Sequence, residues 1–471
     1  MRLGVLTGGD DPQTVTGFAI DHRKVAPGTI FGAFEGMRVN GEDFIDAAIA
    51  GGAIAVVTRP GVAVQGALHI ASDNPRARFA ALAAQFFAPF PETAIAVTGT
   101  NGKTSTVEMT RQLWRMFGHH AASIGTLGVT TANDSVTTGL TTPDIVTFLS
   151  NVGGLAREGV THLAFEASSH GLSQYRTEGL PVQAAAFTNL SRDHLDYHRD
   201  MADYFTAKMR LFTDVLAPDG TAVVWADDAY APRVIDLARE RGNRLITVGE
   251  QGDTLRLVAR TPSLLGQGLS IEVDGKRYTV NLPLIGAYQA ANALIAAGLV
   301  IATGGGVEQT LAALARLQPV RGRLERAVIN RQGAPVYVDY AHTPVAIEAA
   351  IAALKPHASG KLIVMIGAGG DRDSGKRAPM GAVAAGLADL VIVTDDNPRS
   401  EDPATIRAQV MAGAPEATEI AGRREAIAAA IAAAGAGDIV LLTGKGHEQG
   451  QIVGDMVLPF DDVSVARECV A

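Results

Sequence analysis

Thr98-Gly99-Thr100-Asn101-Gly102-Lys103-Thr104-Ser105 follows directly on the apolar run Ala94-Ile95-Ala96-Val97. A buried strand that runs into a Gly-rich turn, then Lys-Thr, then a helix is the architecture of a phosphate-binding loop. Backbone N–H groups and a helix N-terminus face the phosphates, the lysine supplies charge, and the hydroxyl after it reaches Mg²⁺. The feature points to nucleoside triphosphate chemistry. Its spacing is short: two residues separate Gly99 from Gly102, where the general pattern has four. A chance Gly-Lys-Thr in a turn is the competing explanation. The strand before it, and the amphipathic stretch 104–117 closed by Gly118, weigh against chance.

At 471 residues the chain exceeds a single core and implies about two to four domains. The first 87 residues alternate apolar strands such as 53–58 with short helical stretches such as 44–50, an α/β pattern. Pro89-Phe90-Pro91 reads as a linker. A central unit, residues 88–322, carries strand candidates at 162–166, 184–188 and 221–225 with helices between several of them, a doubly wound sheet. Within it, residues 270–273 and 277–280 flank Asp274-Gly275, a hairpin signal, and 289–302 reads as an Ala-rich helix. A third unit, residues 323–471, repeats the strand–helix alternation with strands at 361–366, 390–394 and 438–442. Each of those strands ends in a polar or Gly-rich stretch, which suggests a binding face beyond their carboxyl ends. Low-complexity content is confined to an alanine-rich helix near 426–434.

Composition excludes several classes. Apolar content of 47% and charged content of 19% fit a soluble globular chain. A net charge of −9 argues against a general nucleic-acid binder, while local basic pockets for anionic small molecules remain open. Cys469 is the one cysteine, which excludes a disulfide framework and a cysteine metal site. The opening Met1-Arg2-Leu3-Gly4-Val5-Leu6 turns polar too soon for a signal peptide. No stretch reaches the ~18 uninterrupted apolar residues of a membrane span, so a cytoplasmic location is expected.

Several residues could do chemistry. Glu166 ends an apolar strand ahead of Ala167-Ser168-Ser169-His170-Gly171. A carboxylate there suits a metal ligand, and a helix-capping Ser-Ser run is the alternative. The stretch Thr188-Asn189-Leu190-Ser191-Arg192-Asp193-His194-Leu195-Asp196-Tyr197-His198 gathers two histidines and two aspartates within six residues, enough to bind a divalent ion or activate a nucleophile. Lys208, on spacing alone, is one polar residue of an amphipathic helix. Asp339 and His342 leave the strand 336–338. They could touch phosphate or metal, or belong to a turn that caps the helix after Pro344. Gly367-Ala368-Gly369-Gly370-Asp371-Arg372 lacks G-x-G-x-x-G, so dinucleotide binding is not supported there.

Together these motifs resemble the Mur ligases, the ATP-dependent amide-bond enzymes of peptidoglycan synthesis. The likeness covers nearly the whole chain: residues 98–105, 166–172, 188–198, 339–344 and 444–448 stand in the family's order and spacing. It implies an α/β fold of three domains: an N-terminal α/β UDP-binding domain, a central P-loop ATPase-like doubly wound sheet and a C-terminal Rossmann-like domain. It implies that Lys103 and the loop residues Gly99, Thr100, Asn101, Gly102 and Ser105 hold the ATP phosphates, with Thr104 and Glu166 near a first Mg²⁺. Lys208 aligns with the family's carbamoylated lysine, an anion that helps bind a second Mg²⁺ with His194 nearby. Here the resemblance reverses the plain reading of Lys208. Asn292, Arg323, Asp339 and His342 would contact nucleotide. Thr141, Thr142, Ser168, Gln174 and Arg176 would hold a UDP-N-acetylmuramoyl-L-Ala-D-Glu substrate. Ile20 and His22 fall in a segment like the family's uridine site, with His22 where serine is usual, and Met37-Arg38-Val39-Asn40-Gly41 is a partial match.

Asp396-Asn397-Pro398-Arg399 looks like the specificity motif of the members that add meso-diaminopimelate. With Arg372, Gly444 and Glu448 it would hold that amino acid. Diaminopimelate differs from lysine by a second carboxylate, which an Arg fork binds bidentately. Lysine would leave Arg399 unpaired, and a site of that kind can reject the wrong substrate by up to ~10⁴. A surface turn is the alternative for this tetrapeptide. The resemblance thus implies amide formation through an acyl phosphate, with ATP as co-substrate and no nucleic-acid partner; a monomer is expected. His198, His342 or a carboxylate could take the amine's proton. A folylpolyglutamate synthase, a lysine-adding ligase and a P-loop switch or motor are the rival functions.

Overall fold

In the computed structural model the strand ahead of the phosphate loop, Thr93–Thr98, lies between Val182–Phe187 and His162–Glu166, parallel to both. The structure describes residues 1–470 except Met37, Arg38, Asn133, 137–139, Asp196 and Leu264. The partial uridine-site match at Met37 and Arg38, and Asp196 of the His/Asp stretch, therefore lie outside the described residues. The buried pattern of Thr93–Thr98 follows from its sequence: a parallel strand covered on both faces is apolar almost throughout. Chain order reverses around this strand. Its crossover helix Lys103–Met116 leads to Ala121–Gly125, two places away on one side, while Val182–Phe187 joins later on the other side. Ligands of doubly wound sheets bind beyond the carboxyl ends of the strands at such a reversal, which is where residues 99–102 lie.

Contacts among the described residues gather in two compact units, residues 1–256 with 294–310, and residues 257–293 with 311–471. In the first, strands Gly17–Ala19, Thr29–Gly32, Ala53–Thr58 and Leu68–Ala71 form a parallel sheet in chain order. The following helix, Pro75–Phe87, packs against the helix Ile145–Arg157. Phe79, Leu82 and Ala83 share one continuous core with Phe148, Leu149, Val152 and the sheet residues Ala94 and Ala96. The first 87 residues, expected as a separate unit, thus share their core with the central sheet.

In the second unit the Asp274-Gly275 hairpin forms as its sequence signals. Gly266–Val273 pairs antiparallel with Lys276–Leu282, and both turn residues have positive φ (49° and 75°). The C-terminal sheet runs in the order Glu325–Ile329, Pro335–Asp339, Ile439–Thr443, Leu362–Ile366, Leu390–Val393, Thr418–Glu419. All pairs but the first are parallel. Four consecutive strands therefore send their following segments off one edge, in the order after Asp339, after Thr443, after Ile366 and after Val393. Among the described residues no helix is long and apolar enough to cross a membrane.

Candidate active site

The phosphate loop is held in shape from behind. Gly99 has φ +148°, and a Cβ there would collide with the Thr188 hydroxyl; Gly102, at φ +87°, leads into the helix Lys103–Met116. Thr188 and Asn189, just past a neighbouring strand, supply the backing. Thr100 N donates to Asn189 O and Asn101 N to Asn189 Oδ1, both at 2.9 Å. Thr188 Oγ1 and Asn189 Nδ2 donate to Asn101 O at 2.6 and 3.1 Å. Lys103 Nζ folds over the turn onto Gly99 O (2.9 Å) and Thr100 O (2.8 Å). Thr104 and Ser105 are buried in the first helical turn.

Lys208 is where spacing alone misleads. Its side chain is only 1% exposed, donates to Gly99 O at 2.7 Å, and holds its ammonium 4.4 Å from the centre of the Tyr204 ring. The helix Met201–Arg210 turns this face toward the phosphate loop, so the residue that looked solvated is buried. Burial, and then the Lys103 charge, hold Lys208 well below the ordinary lysine value, with Asp193 opposing. The free amine is thereby favoured. The Tyr204 ring belongs to a chain of ring contacts with His194, His198, His170 and Tyr197. His170 is 3.9 Å from Tyr197 and 5.0 Å from His194, and His198 is 5.1 Å from Tyr204. His194, at φ +54°, places Nε2 3.5 Å from Asp193. His198 Nδ1 lies 3.5 Å from Asp203, and its buried Nε2 has no partner among the described residues. Burial lowers the His198 pKa, with Asp203 opposing.

Glu166 anchors a second network. Its Oε1 accepts from Thr126 N at 2.7 Å, and a Cβ on Gly125 would collide with its carboxylate. Thr126 Oγ1 lies 3.1 Å from Thr141 Oγ1. Thr142 Oγ1 donates to Glu166 O (2.9 Å) and accepts from Ser168 N (3.1 Å). Arg176 donates to Thr142 O (2.9 Å) and to Gln174 Oε1 (2.7 Å), and Gln174 Nε2 reaches Tyr197 OH at 3.0 Å. The structure thus brings Thr141, Thr142, Glu166, Ser168, Gln174 and Arg176 together. The helix-cap alternative is realised as well: Ser168 Oγ accepts from Gly171 N at 3.0 Å. Ile20 is exposed, and His22 stacks flat on Phe44 with ring centres 4.4 Å apart.

The oxygens of Glu166 and Thr104 are hard donors of the kind Mg²⁺ takes. Among the described residues no three His, Cys, Asp or Glu side chains gather at one point.

In the other unit, Asn292 Nδ2 donates to Gln289 Oε1 (3.3 Å) and Gln289 Nε2 to Arg323 O (2.9 Å). Asp339 accepts from Leu324 N and Ala341 N at 2.7 and 2.8 Å, and the Arg323 guanidinium lies 4.8 Å from the Tyr340 ring centre. Asn292, Arg323 and Asp339 are therefore neighbours. Burial raises the Asp339 pKa, with Arg323 opposing. His342 Nδ1 contacts Tyr340 O at 2.7 Å, and burial lowers its pKa. Thr343 caps the helix Pro344–Leu354, so the turn alternative holds for that residue.

The segments after Val393 and Thr443 interlock. Asn397 Nδ2 donates to Glu448 Oε2 at 2.7 Å, and a Cβ on Gly444 (φ +107°) would press on Asp396 Oδ2. Arg399, at φ +53°, donates from one guanidinium nitrogen to Gly370 O (2.7 Å). Its backbone pairs with Ile452 O and Gly454 N, which joins it to the hairpin Gly450–Val453/Met456–Pro459. Gly370 is in contact with Pro398, whose carbonyl a Cβ there would meet. Arg372 is exposed. Two buried cations that sequence reasoning passed over organise this region. Lys445, inside the 444–448 motif, is fully buried; burial lowers its pKa, with Asp396 opposing. Arg423 forms a fully buried ion pair with Asp462 at 2.5 Å and donates to Asp395 O and Thr443 O. A lysine flanked by glycines just after a buried strand was the available signal for Lys445. Arg423 gave none.

A phosphate loop at the reversal point of a doubly wound sheet, with a buried carboxylate on the adjacent strand, defines an enzyme that uses nucleoside triphosphates. Three family models match the chain: Mur ligase family, catalytic domain (residues 14–114), Mur ligase middle domain (97–300), and Mur ligase, glutamate ligase domain (322–446). The UDP-N-acetylmuramoyl-L-alanyl-D-glutamate–2,6-diaminopimelate ligase of Zymomonas mobilis is 59% identical over 100% of this chain and 99% of its own. The ligase of the same name from Bradyrhizobium diazoefficiens is 51% identical, with 100% and 99% covered. A solved structure of a ligase of that name, 32% identical, superimposes with a TM-score of 0.76 over 100% of this chain and 98% of the other. The chain belongs to the Mur ligase family, whose members are ATP-dependent ligases.

Proposed function

We propose that this enzyme joins the γ-carboxylate of the D-glutamyl residue of UDP-N-acetylmuramoyl-L-Ala-D-Glu to meso-diaminopimelate, consuming ATP and releasing ADP and phosphate. The observation that carries this reading is the Asp396-Asn397-Pro398-Arg399 loop, fixed beside Gly444 and Glu448 at a strand edge, with the Arg399 guanidinium anchored on Gly370 O as the fork that would take a carboxylate.

A carboxylate resists attack by an amine because oxide is a poor leaving group. In this mechanism a glutamyl carboxylate oxygen attacks the γ-phosphorus of ATP and ADP leaves, giving an acyl phosphate. The amine of diaminopimelate, as the free base, attacks the acyl carbon; phosphate leaves and the nitrogen gives up its proton. Lys103, the amides of residues 99–102 and the helix N-terminus neutralise the charge on the transferring phosphoryl group. Thr104 and Glu166 would hold a Mg²⁺, which when bound would supply charge neutralisation at the phosphate oxygens. The depressed pKa of Lys208 and its position on Gly99 support carbamoylation there; the resulting anion, with His194, would hold a second Mg²⁺. Asn292, Arg323, Asp339 and His342 bind nucleotide. Thr141, Thr142, Ser168, Gln174 and Arg176 hold the muramoyl dipeptide, and Ile20 and His22 the uridine. Arg372, Asp396, Asn397, Pro398, Arg399, Gly444 and Glu448 form the diaminopimelate site. Residues 1–87, 88–322 and 323–471 are the UDP-sugar, ATP and amino-acid domains of a cytoplasmic monomer.

An acceptor screen tests this: phosphate release with ATP, Mg²⁺ and the dipeptide nucleotide, plus diaminopimelate, lysine or ornithine. Turnover with diaminopimelate alone is expected. Equal turnover with lysine would make this a lysine-adding ligase, and ATP turnover without any acceptor would point to a switch or motor.

A further inference from the structure

Lys445 has no part in the chemistry above, yet it is a fully buried cation among the acceptor loops. Its Nζ donates to Asn397 Oδ1 at 2.8 Å and to Gly450 O at 2.6 Å, and lies 3.7 Å from Asp396 Oδ1 and 3.8 Å from Glu448 Oε2. Asn397 Oδ1 also accepts from Ile452 N at 2.9 Å. An amide oxygen has two lone pairs, and both are now occupied. The Asn397 amide cannot turn over without losing both bonds and leaving a buried ammonium short of a partner, so Nδ2 must face Glu448. One Glu448 oxygen is thereby held, and the side chain stays 32% exposed for a ligand.

We propose that Lys445 is a positioning residue for the acceptor: its ammonium locks the Asn397 amide so that Glu448 is presented to an ammonium group of the incoming amino acid. This rests on the assignment of these loops to the acceptor. The mechanism is indirect, since Lys445 is enclosed by Asn397, Gly450 and two carboxylates and acts on the amino acid only through them.

The test is a double-mutant cycle on the full-length enzyme, with phosphate release read at varied diaminopimelate, ATP and dipeptide nucleotide. Lys445→Met is expected to raise the KM for diaminopimelate by about tenfold or more, with the other two KM values within about twofold. In an Asn397→Ala background the same change should add almost nothing to the diaminopimelate KM, because the route through Asn397 is already gone. Additive effects, or equal rises in all three KM values, would overturn the proposal. Lys445→Leu, which also removes the donor, provides the same cycle where the methionine variant does not fold; failure of both to fold would make Lys445 a folding residue and also overturn it. Wild-type enzyme that ignores diaminopimelate would defeat the acceptor assignment itself, whereas normal wild-type turnover with an unaltered Lys445→Met KM defeats this inference alone.

Discussion

The phosphate loop and the acceptor loops both bury lysines, but they treat the charge differently. At the phosphate loop, Lys103 and Lys208 both donate to the Gly99 carbonyl, and Lys208 otherwise meets the face of Tyr204. Burial, and then the neighbouring Lys103 charge, disfavour a second positive charge on Lys208 there. At the acceptor loops, Lys445 sits within 3.8 Å of two carboxylates and Arg423 is paired to Asp462. Those cations are already neutralised and act as fasteners for loop shape. One region is built to attract phosphate and the other to hold a geometry. The first should therefore fail in rate, and the second in recognition of one substrate.

The largest expected effect is at the first region. Lys103→Ala should lower kcat by about 10³-fold, the scale of losing a preorganised stabiliser of transition-state charge. Steady-state kinetics with diaminopimelate KM nearly unchanged would support the contrast; a rise mainly in that KM would break it. Next, Arg399→Ala should raise the diaminopimelate KM by roughly 10- to 100-fold, the value of a lost charge-assisted pair. Equal effects on the ATP and diaminopimelate requirements would remove Arg399 from the acceptor site.

Lys208→Met sharpens the comparison through stability. The folded state holds Lys208 below the ordinary lysine value of 10.5, so between the folded pKa and 10.5 the unfolded chain binds more protons and stability rises with pH. In carbon dioxide-free buffer at pH 7 the variant should melt higher than wild type by roughly 2 °C or more, while losing activity. The gap should narrow as pH rises toward 10.5. A gap that widens with pH would contradict a depressed lysine. The smallest effect belongs to a turn outside both regions: Gly275→Ala, at φ +75°, should cost about 1 kcal/mol by denaturant titration and leave all three KM values alone.

The strands of both sheets were legible because a covered parallel strand is apolar through its middle, as residues 163–165 and Leu362–Ile366 are. The hairpin at Asp274-Gly275 was legible because few residues tolerate positive φ at both turn positions. The phosphate loop was legible for the same local reason: glycines at 99 and 102, and a lysine leading the next helix. The shared core of the first 87 residues and the central sheet was not, because nothing local to Phe79 says that Phe148 will meet it.

Sequence by itself determined the class of chemistry and the order of the motifs, since these depend on backbone conformation and on residues near one another in the chain. Tertiary structure alone decided what Lys208, Lys445 and Arg423 do. Each takes its surroundings from a distant segment that covers it: Gly99 over Lys208, Asn397 and Gly450 over Lys445, Asp462 over Arg423. A charge acquires its role from the water it loses and the partners that replace it, and both come from parts of the chain that no spacing rule connects.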